Sequence, residues 1–375
     1  MQSLLPLSLL FLAQLSTSYL LPSPSGKYNV TLTIGSLTDY TRNISSTTPP
    51  TPRELMLSIF QPTTCVTTST VPYMPNKTAE YQGPFLQSQF NVSFDLSPLF
   101  LTARLPVCTD ACSIHDGIPI LLFSPGYGIP RLYYSVLASA IASQGFTVIT
   151  LDHPEDANIV EFTDGHVVYN TQEDMPTDFT PYVYPRVADA SFVLDQLRNA
   201  TAMEHLLPDR RAQAFKTNRI GMLGHSLGGA AAVVAAGQDS RIRAAINFDG
   251  SLFGSLPAEG LTQPVLYVSE ADATDPTWVD AWPQLNGQKM WIEVANTTHE
   301  SFTDALALTK AARMDSVALE GLLGTIEAGE LVRVMSTYTT EWMKGAFDGY
   351  LREVLLGDCE TETFDDVKII RKDGF

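Results

Sequence analysis

Basic residues are scarce in this chain: 23 lysines and arginines stand against 41 aspartates and glutamates in 375 residues, a formal net charge of −18. Nucleic-acid binders displace counterions with clustered Lys and Arg, so a phosphate-backbone partner is excluded. Long apolar runs are lacking too. The most apolar segment, Leu4 to Leu15, is too short to cross a bilayer and is broken by Pro6, Ser8 and Gln14; no Lys or Arg precedes it. There is no internal repeat and no linker rich enough in Pro, Gly or Ser to split the chain, so a single domain is expected over residues 19–375. Cysteine is confined to Cys65, Cys108, Cys112 and Cys359. CTDAC has no second Cys/His pair at ligand spacing, which argues against zinc, and neither a metal nor an organic cofactor is expected.

What is present points to export. The Leu4–Leu15 core is followed by small polar residues as far as Ser18, the pattern of a secretory signal peptide over residues 1–18. Six of the eleven asparagines lie in N-x-S/T sequons: Asn29, Asn43, Asn76, Asn91, Asn199 and Asn296. Ordinary Ser and Thr frequencies would give about two, so a glycosylated, extracellular surface is expected. The acidity then serves solubility. Four cysteines in an oxidising compartment imply one or two disulfides, with their pairing left open.

Residues 27–118 read as a β-leaning lead-in, with strand candidates at ELMLSIF (54–60) and QFNVSFD (89–95). Over 119–310 the pattern changes to short continuous apolar runs alternating with helical stretches. The runs are PILLFS (119–124), FTVITLD (146–152), RIGMLG (219–224), AAINFD (244–249), PVLYVS (264–269) and MWIEVA (290–295); helices are expected near 131–144, 186–199 and 226–237. Strands apolar on both faces and separated by helices predict an α/β fold, a mostly parallel central sheet with helices on both faces. Residues 311–357 are expected to hold C-terminal helices, a long one ending at Gly357, and residues 358–375 a tail.

GHSLGG (224–229) sits between the strand RIGMLG and a run of small helix formers, the strand–turn–helix setting of a nucleophile elbow. Gly224 and Gly228 then leave room for a serine held in a strained turn, with the Ser226 hydroxyl at the carboxyl edge of the sheet. A serine needs a base. Of six histidines, at 115, 153, 166, 205, 225 and 299, only His299 lies beyond Ser226, on the loop after the last expected strand. The acid that orients the base is either Asp249, ending AAINFD, or Asp272, after the following strand. Asp249 is favoured because a carboxylate at the end of a buried apolar run calls for a partner. The Leu227 amide and the Tyr127 amide, in the Gly-rich loop FSPGYG, are the expected oxyanion donors. Asp152 and His153 of LDHPED precede the serine and fit pocket lining or a hydrogen-bonded turn better than catalysis.

With FSPGYG, GHSLGG, AINFDG and THESFTDA in place, the chain resembles the platelet-activating-factor acetylhydrolase family, the secreted α/β-hydrolase type, from about residue 27 to about 357. VPYMPNK and GTIEAGELVRVMSTYTTEWM also resemble family segments. Pro125 stands where the family's oxyanion loop often has histidine. The resemblance implies calcium-independent hydrolysis of the sn-2 ester of phospholipids with short or oxidised acyl chains, with transient contact to a lipid surface. It makes Ser226 nucleophile, Asp249 acid, His299 base, and Leu227 and Tyr127 the oxyanion hole. A broader carboxylesterase or cutinase-like polyester hydrolase would use the same machinery on other small esters. A hydrolase fold retained only for binding would ordinarily lose the serine or the histidine, and this chain keeps a complete set.

Overall fold

The computed structural model describes residues 18–44, 49–90, 95–109, 117–171, 175–207, 214–216, 218–314, 319–349, 355 and 364–375. The signal segment before residue 18, His115, Asn91, Cys112 and Cys359 lie outside them.

A nine-stranded sheet forms the centre. Its strands are β1 (Asn29–Ile44), β2 (Thr51–Thr63), β3 (Ile120–Ser124), β4 (Thr147–Leu151), β5 (Ile220–His225), β6 (Ile242–Phe248), β7 (Val265–Ser269), β8 (Lys289–Val294) and β9 (Val367–Asp373). Their spatial order is β9-β8-β7-β6-β5-β3-β4-β2-β1. From β4 across to β8 every pairing is parallel; β2, β1 and β9 add antiparallel edges. Every residue of β3, β4 and β7 is buried, as strands covered on both faces require.

Strand alternation divides the apolar side chains between two cores. On β3, Leu121 and Phe123 pack under α3 (Ser135–Ser143) and α6 (Ala328–Asp348), whereas Ile120 and Leu122 pack under α4 (Thr180–Leu197) and α5 (Leu227–Gln238). The lead-in also supplies α1 (Asn76–Gln89) and α2 (Ser97–Thr102), beside a small sheet whose strands Thr68–Pro72 and Ala103–Cys108 lie next to a disulfide between Cys65 and Cys108.

Several boundaries differ from expectation. The long C-terminal helix ends at Gly349 rather than Gly357, because Gly349 takes the left-handed conformation at φ 83° and closes the last turn. The expected tail contains β9, an edge strand whose lysines and arginine hide its apolar alternation. Gln89, expected in a strand, closes α1, and residues 91–94 of that candidate lie outside the described residues. Helix α4 begins at Thr180, six residues before its expected start, since Pro185 is close enough to the helix start to remove a single backbone bond.

Candidate active site

β5 ends at His225 and α5 begins at Leu227, so Ser226 alone makes the turn, at φ 56° and ψ −127°. A non-glycine residue is held there because both flanks are tight. A Cβ on Gly228 would lie 2.0 Å from the Ser124 carbonyl oxygen, and one on Gly224 would lie 2.3 Å from the Gly228 carbonyl carbon. The Ser226 amide donates to the Phe248 carbonyl at 2.8 Å, tying the elbow to the end of β6.

Asp249 follows β6 directly, with φ 54°. Its Oδ1 accepts from the Glu270 amide at 2.8 Å and its Oδ2 lies 2.6 Å from His299 Nδ1. His299 opens a short 3₁₀ turn after β8, fixed by reciprocal hydrogen bonds between Thr298 and Ser301. Its Nε2 stands 3.0 Å from Ser226 Oγ. Ser226, His299 and Asp249 therefore form one hydrogen-bonded chain from solvent inward, the side chains of His299 and Asp249 being 42% and 9% exposed. Burial pulls the His299 pKa down, but the hydrogen bond and charge of Asp249, with Glu300 and Glu270, outweigh it and hold the group above its ordinary 6.5. Asp272 is exposed in a turn, and no hydrogen bond or ion pair joins it to His299.

The Leu227 amide, at the first position of α5, and the Tyr127 amide in the loop after β3 donate to no protein atom among the described residues. His225, the second residue of GHSLGG, has no role legible in the sequence, yet it links the two loops. The His299 carbonyl can only accept, so His225 Nε2 donates to it at 3.0 Å and Nδ1 accepts from the Tyr134 hydroxyl at 2.9 Å. That hydroxyl accepts in turn from the Gly126 amide at 3.0 Å. Burial and the neighbouring His299 charge keep His225 neutral, its pKa well below 6.5.

Asp152 and His153 are buried among hydrogen-bond partners. Asp152 pairs with Arg131, and His153 bridges Ser124 Oγ at 2.9 Å and Asp189 at 2.8 Å. Neither lines the cavity of about 430 Å³ that adjoins the FSPGYG loop; among its described lining residues are Tyr127 and Glu300, the residue after His299, but not Ser226, Asp249 or His299 themselves. Its wall continues into apolar side chains such as Phe85 and Phe100. Among the described residues, no lysine or arginine lines it. Of the sequon asparagines, Asn29 donates to the Cys65 carbonyl and Asn199 caps the helix Ala200–Leu206; Asn43, Asn76 and Asn296 are exposed.

A family model described as platelet-activating factor acetylhydrolase, isoform II, matches residues 14–175 and 193–345. The chain is 34% identical over 381 residues to a probable 1-alkyl-2-acetylglycerophosphocholine esterase of Arthroderma benhamiae, covering 91% of this chain and 92% of that protein. It is 22% identical over 243 residues to a platelet-activating factor acetylhydrolase of Cavia porcellus, covering 58% and 56%. Among solved structures, a ferulic acid esterase from Streptomyces cinnamoneus superposes with a TM-score of 0.77 at 28% identity, over 95% of this chain and 100% of that one.

Proposed function

The chain belongs to the platelet-activating factor acetylhydrolase family, isoform II, and from that premise we propose that it is a secreted, glycosylated serine esterase acting on the sn-2 ester of phospholipids with short or oxidised acyl chains. The observation that carries this is the hydrogen-bonded chain Asp249–His299–Ser226, supported by an apolar cavity whose wall includes Tyr127 and Glu300. Ser226 Oγ attacks the ester carbonyl while His299 Nε2 takes its proton; Asp249 holds the Nδ1 hydrogen and stabilises the imidazolium. The Leu227 and Tyr127 amides receive the oxyanion. His299 then protonates the leaving alcohol, water attacks the acyl-serine with His299 as base again, and the carboxylic acid is released. The apolar cavity suits an aliphatic part of the ester and contact with a lipid surface. With no basic side chain among its described lining residues, a phosphate group would lie outside it.

A second reading, a broader carboxylesterase, is favoured by the ferulic acid esterase likeness across nearly the whole chain. A panel comparing a 1-alkyl-2-acetyl phosphocholine, a feruloyl ester, a p-nitrophenyl ester and a polyester film, each with Ser226→Ala as control, separates the two. The phospholipid reading requires the highest kcat/KM on the first substrate. An unchanged rate in Ser226→Ala would end the serine-esterase reading altogether. Intact-glycopeptide mass spectrometry of the secreted protein tests the export half; unmodified sequons would count against it.

A further inference from the structure

The loop that carries the Tyr127 amide is held from beneath by a buried side chain, Arg186 on α4, which is 1% exposed. Its guanidinium meets the Asp156 carboxylate through two hydrogen bonds, Nε to Oδ2 and Nη2 to Oδ1, each 2.6 Å. The remaining donors all go to the FSPGYG loop: Nη1 to Ser124 Oγ at 3.0 Å and to the Pro125 carbonyl, Nη2 to the Gly126 carbonyl at 3.1 Å. Asp156 holds the far end, accepting from the Gly128 amide at 3.4 Å.

The peptide planes show what this achieves. The Pro125–Gly126 peptide is fixed at both ends, its carbonyl by Arg186 and its amide by the Tyr134 hydroxyl. The Gly126–Tyr127 peptide has its carbonyl fixed by Arg186 and by the Ile129 amide. In a planar trans peptide the C=O and N–H point in opposite directions, so a carbonyl anchored on Arg186 turns the Tyr127 N–H away from Arg186. That N–H is the one polar group of the two peptides left without a protein partner among the described residues. A buried cation on the carbonyl also draws electron density from the amide and strengthens it as a donor.

We propose that Arg186, clamped by Asp156, is a positioning residue that aims and polarises the Tyr127 amide toward the developing oxyanion. This rests on the reading of Ser226 as nucleophile and Tyr127 as an oxyanion donor. A buried ion pair is weak evidence for stability alone, whereas holding a loop in one geometry is a use that would retain it. Lysine keeps the charge but has neither the planar fork nor enough donors to hold Asp156, Ser124 and two carbonyls together.

The test uses Arg186→Lys and Arg186→Met in the full-length protein, with folding followed by Tm. Expected is a fall in kcat of about 10²-fold with KM within about threefold, the signature of an interaction made in the transition state. Affinity for a trifluoromethyl ketone analogue, whose adduct with Ser226 carries the oxyanion, should fall in parallel, while affinity for a neutral ground-state ester analogue stays level. A folded variant with unchanged kcat, a change in KM alone, or a kcat loss without loss of ketone affinity overturns the proposal. Should neither Arg186 variant fold, Tyr134→Phe decides on the same criteria, because it frees the Gly126 amide of the peptide whose carbonyl Arg186 holds. Ser226→Ala, run alongside, separates the two failures. If it abolishes turnover while the loop variants do not, only the positioning role falls; if it does not, the esterase reading falls first.

Discussion

Replacing Asp249 by asparagine tests the triad more sharply than removing the serine, because the structure dictates how the new side chain must sit. Asp249 Oδ1 accepts from the Glu270 amide at 2.8 Å, and after Asp249→Asn only the carbonyl oxygen of the carboxamide can keep that bond. The carboxamide NH₂ is then forced into the Oδ2 position, 2.6 Å from His299 Nδ1. Two donors cannot face each other, so Nδ1 becomes an acceptor and the ring hydrogen moves to Nε2, which can no longer take the Ser226 proton. In the serine-protease template this tautomer error lowers kcat by about 10⁴, or about 5 kcal/mol of transition-state stabilisation. The backbone accepts the change, since the φ of 54° at this position is one that asparagine tolerates as readily as aspartate. Steady-state kinetics on a soluble short-chain ester, with Tm as the folding control, should show that loss in Asp249→Asn and no more than about a twofold change in Asp272→Asn. A kcat of more than about a tenth of wild type in Asp249→Asn, or a crippled Asp272→Asn, would refute the assignment.

The raised pKa of His299 fixes the direction of the pH profile. The base must be neutral to act, so kcat/KM should rise with pH through a midpoint above 6.5; Glu300→Gln, which removes one of the charges holding the proton, should move that midpoint down. The sign for stability is opposite: the group's contribution is complete below 6.5 and is lost as pH rises through its folded value, so thermal shifts and activity should trend in opposite directions there. A midpoint at or below 6.5, or one indifferent to Glu300→Gln, would contradict this electrostatic account. The disulfide between Cys65 and Cys108 spans 43 residues of sequence, including α1 and α2, which contribute to the cavity. Its removal by paired Cys→Ser changes should cost about 4 kcal/mol in the chain-entropy picture, read from denaturant midpoints; an unchanged midpoint would show that the bridge does not constrain the unfolded chain.

The strands that carry the site are readable because each is a short apolar run ending close to a chemically abrupt residue: Ser226 after β5, Asp249 after β6, His299 after β8. Chain order then gives them their proposed roles, with a sole downstream histidine leaving one candidate base. What is not legible has a physical reason. β9 carries lysines and an arginine that mask its period, and α1 falls in a stretch rich in glutamine and interrupted by Pro84. Arg186, Asp156 and Asp189 look like surface charges in sequence, because nothing in a linear pattern reveals that a charged residue will be buried against a distant partner. LDHPED carries a faint signal, charged residues breaking in at the end of a buried strand.

That same buried layer contains a second constellation with the chemistry of the first. Ser124 Oγ, His153 and Asp189 stand in the order serine, imidazole, carboxylate, at 2.9 Å and 2.8 Å, spacings as good as those of Ser226, His299 and Asp249. Burial keeps His153 neutral, and its Nδ1 hydrogen faces Asp189, so Nε2 accepts from the Ser124 hydroxyl as a general base would. Ser124 is nevertheless closed off from substrate in this setting. It is 0% exposed, and its oxygen already accepts a hydrogen bond from Arg186, which stabilises the lone pair that an attack would have to use. Ser226 differs in access rather than in partners: its turn lifts Oγ off the sheet edge, and the base beside it is open to substrate and water. Hydrogen-bond geometry alone would nominate both serines. Accessibility favours Ser226 on the proposed reading, as do the Leu227 and Tyr127 amides, which have no protein partner among the described residues, and the two constellations meet at Arg186, whose guanidinium reaches both Ser124 Oγ and the Pro125 and Gly126 carbonyls.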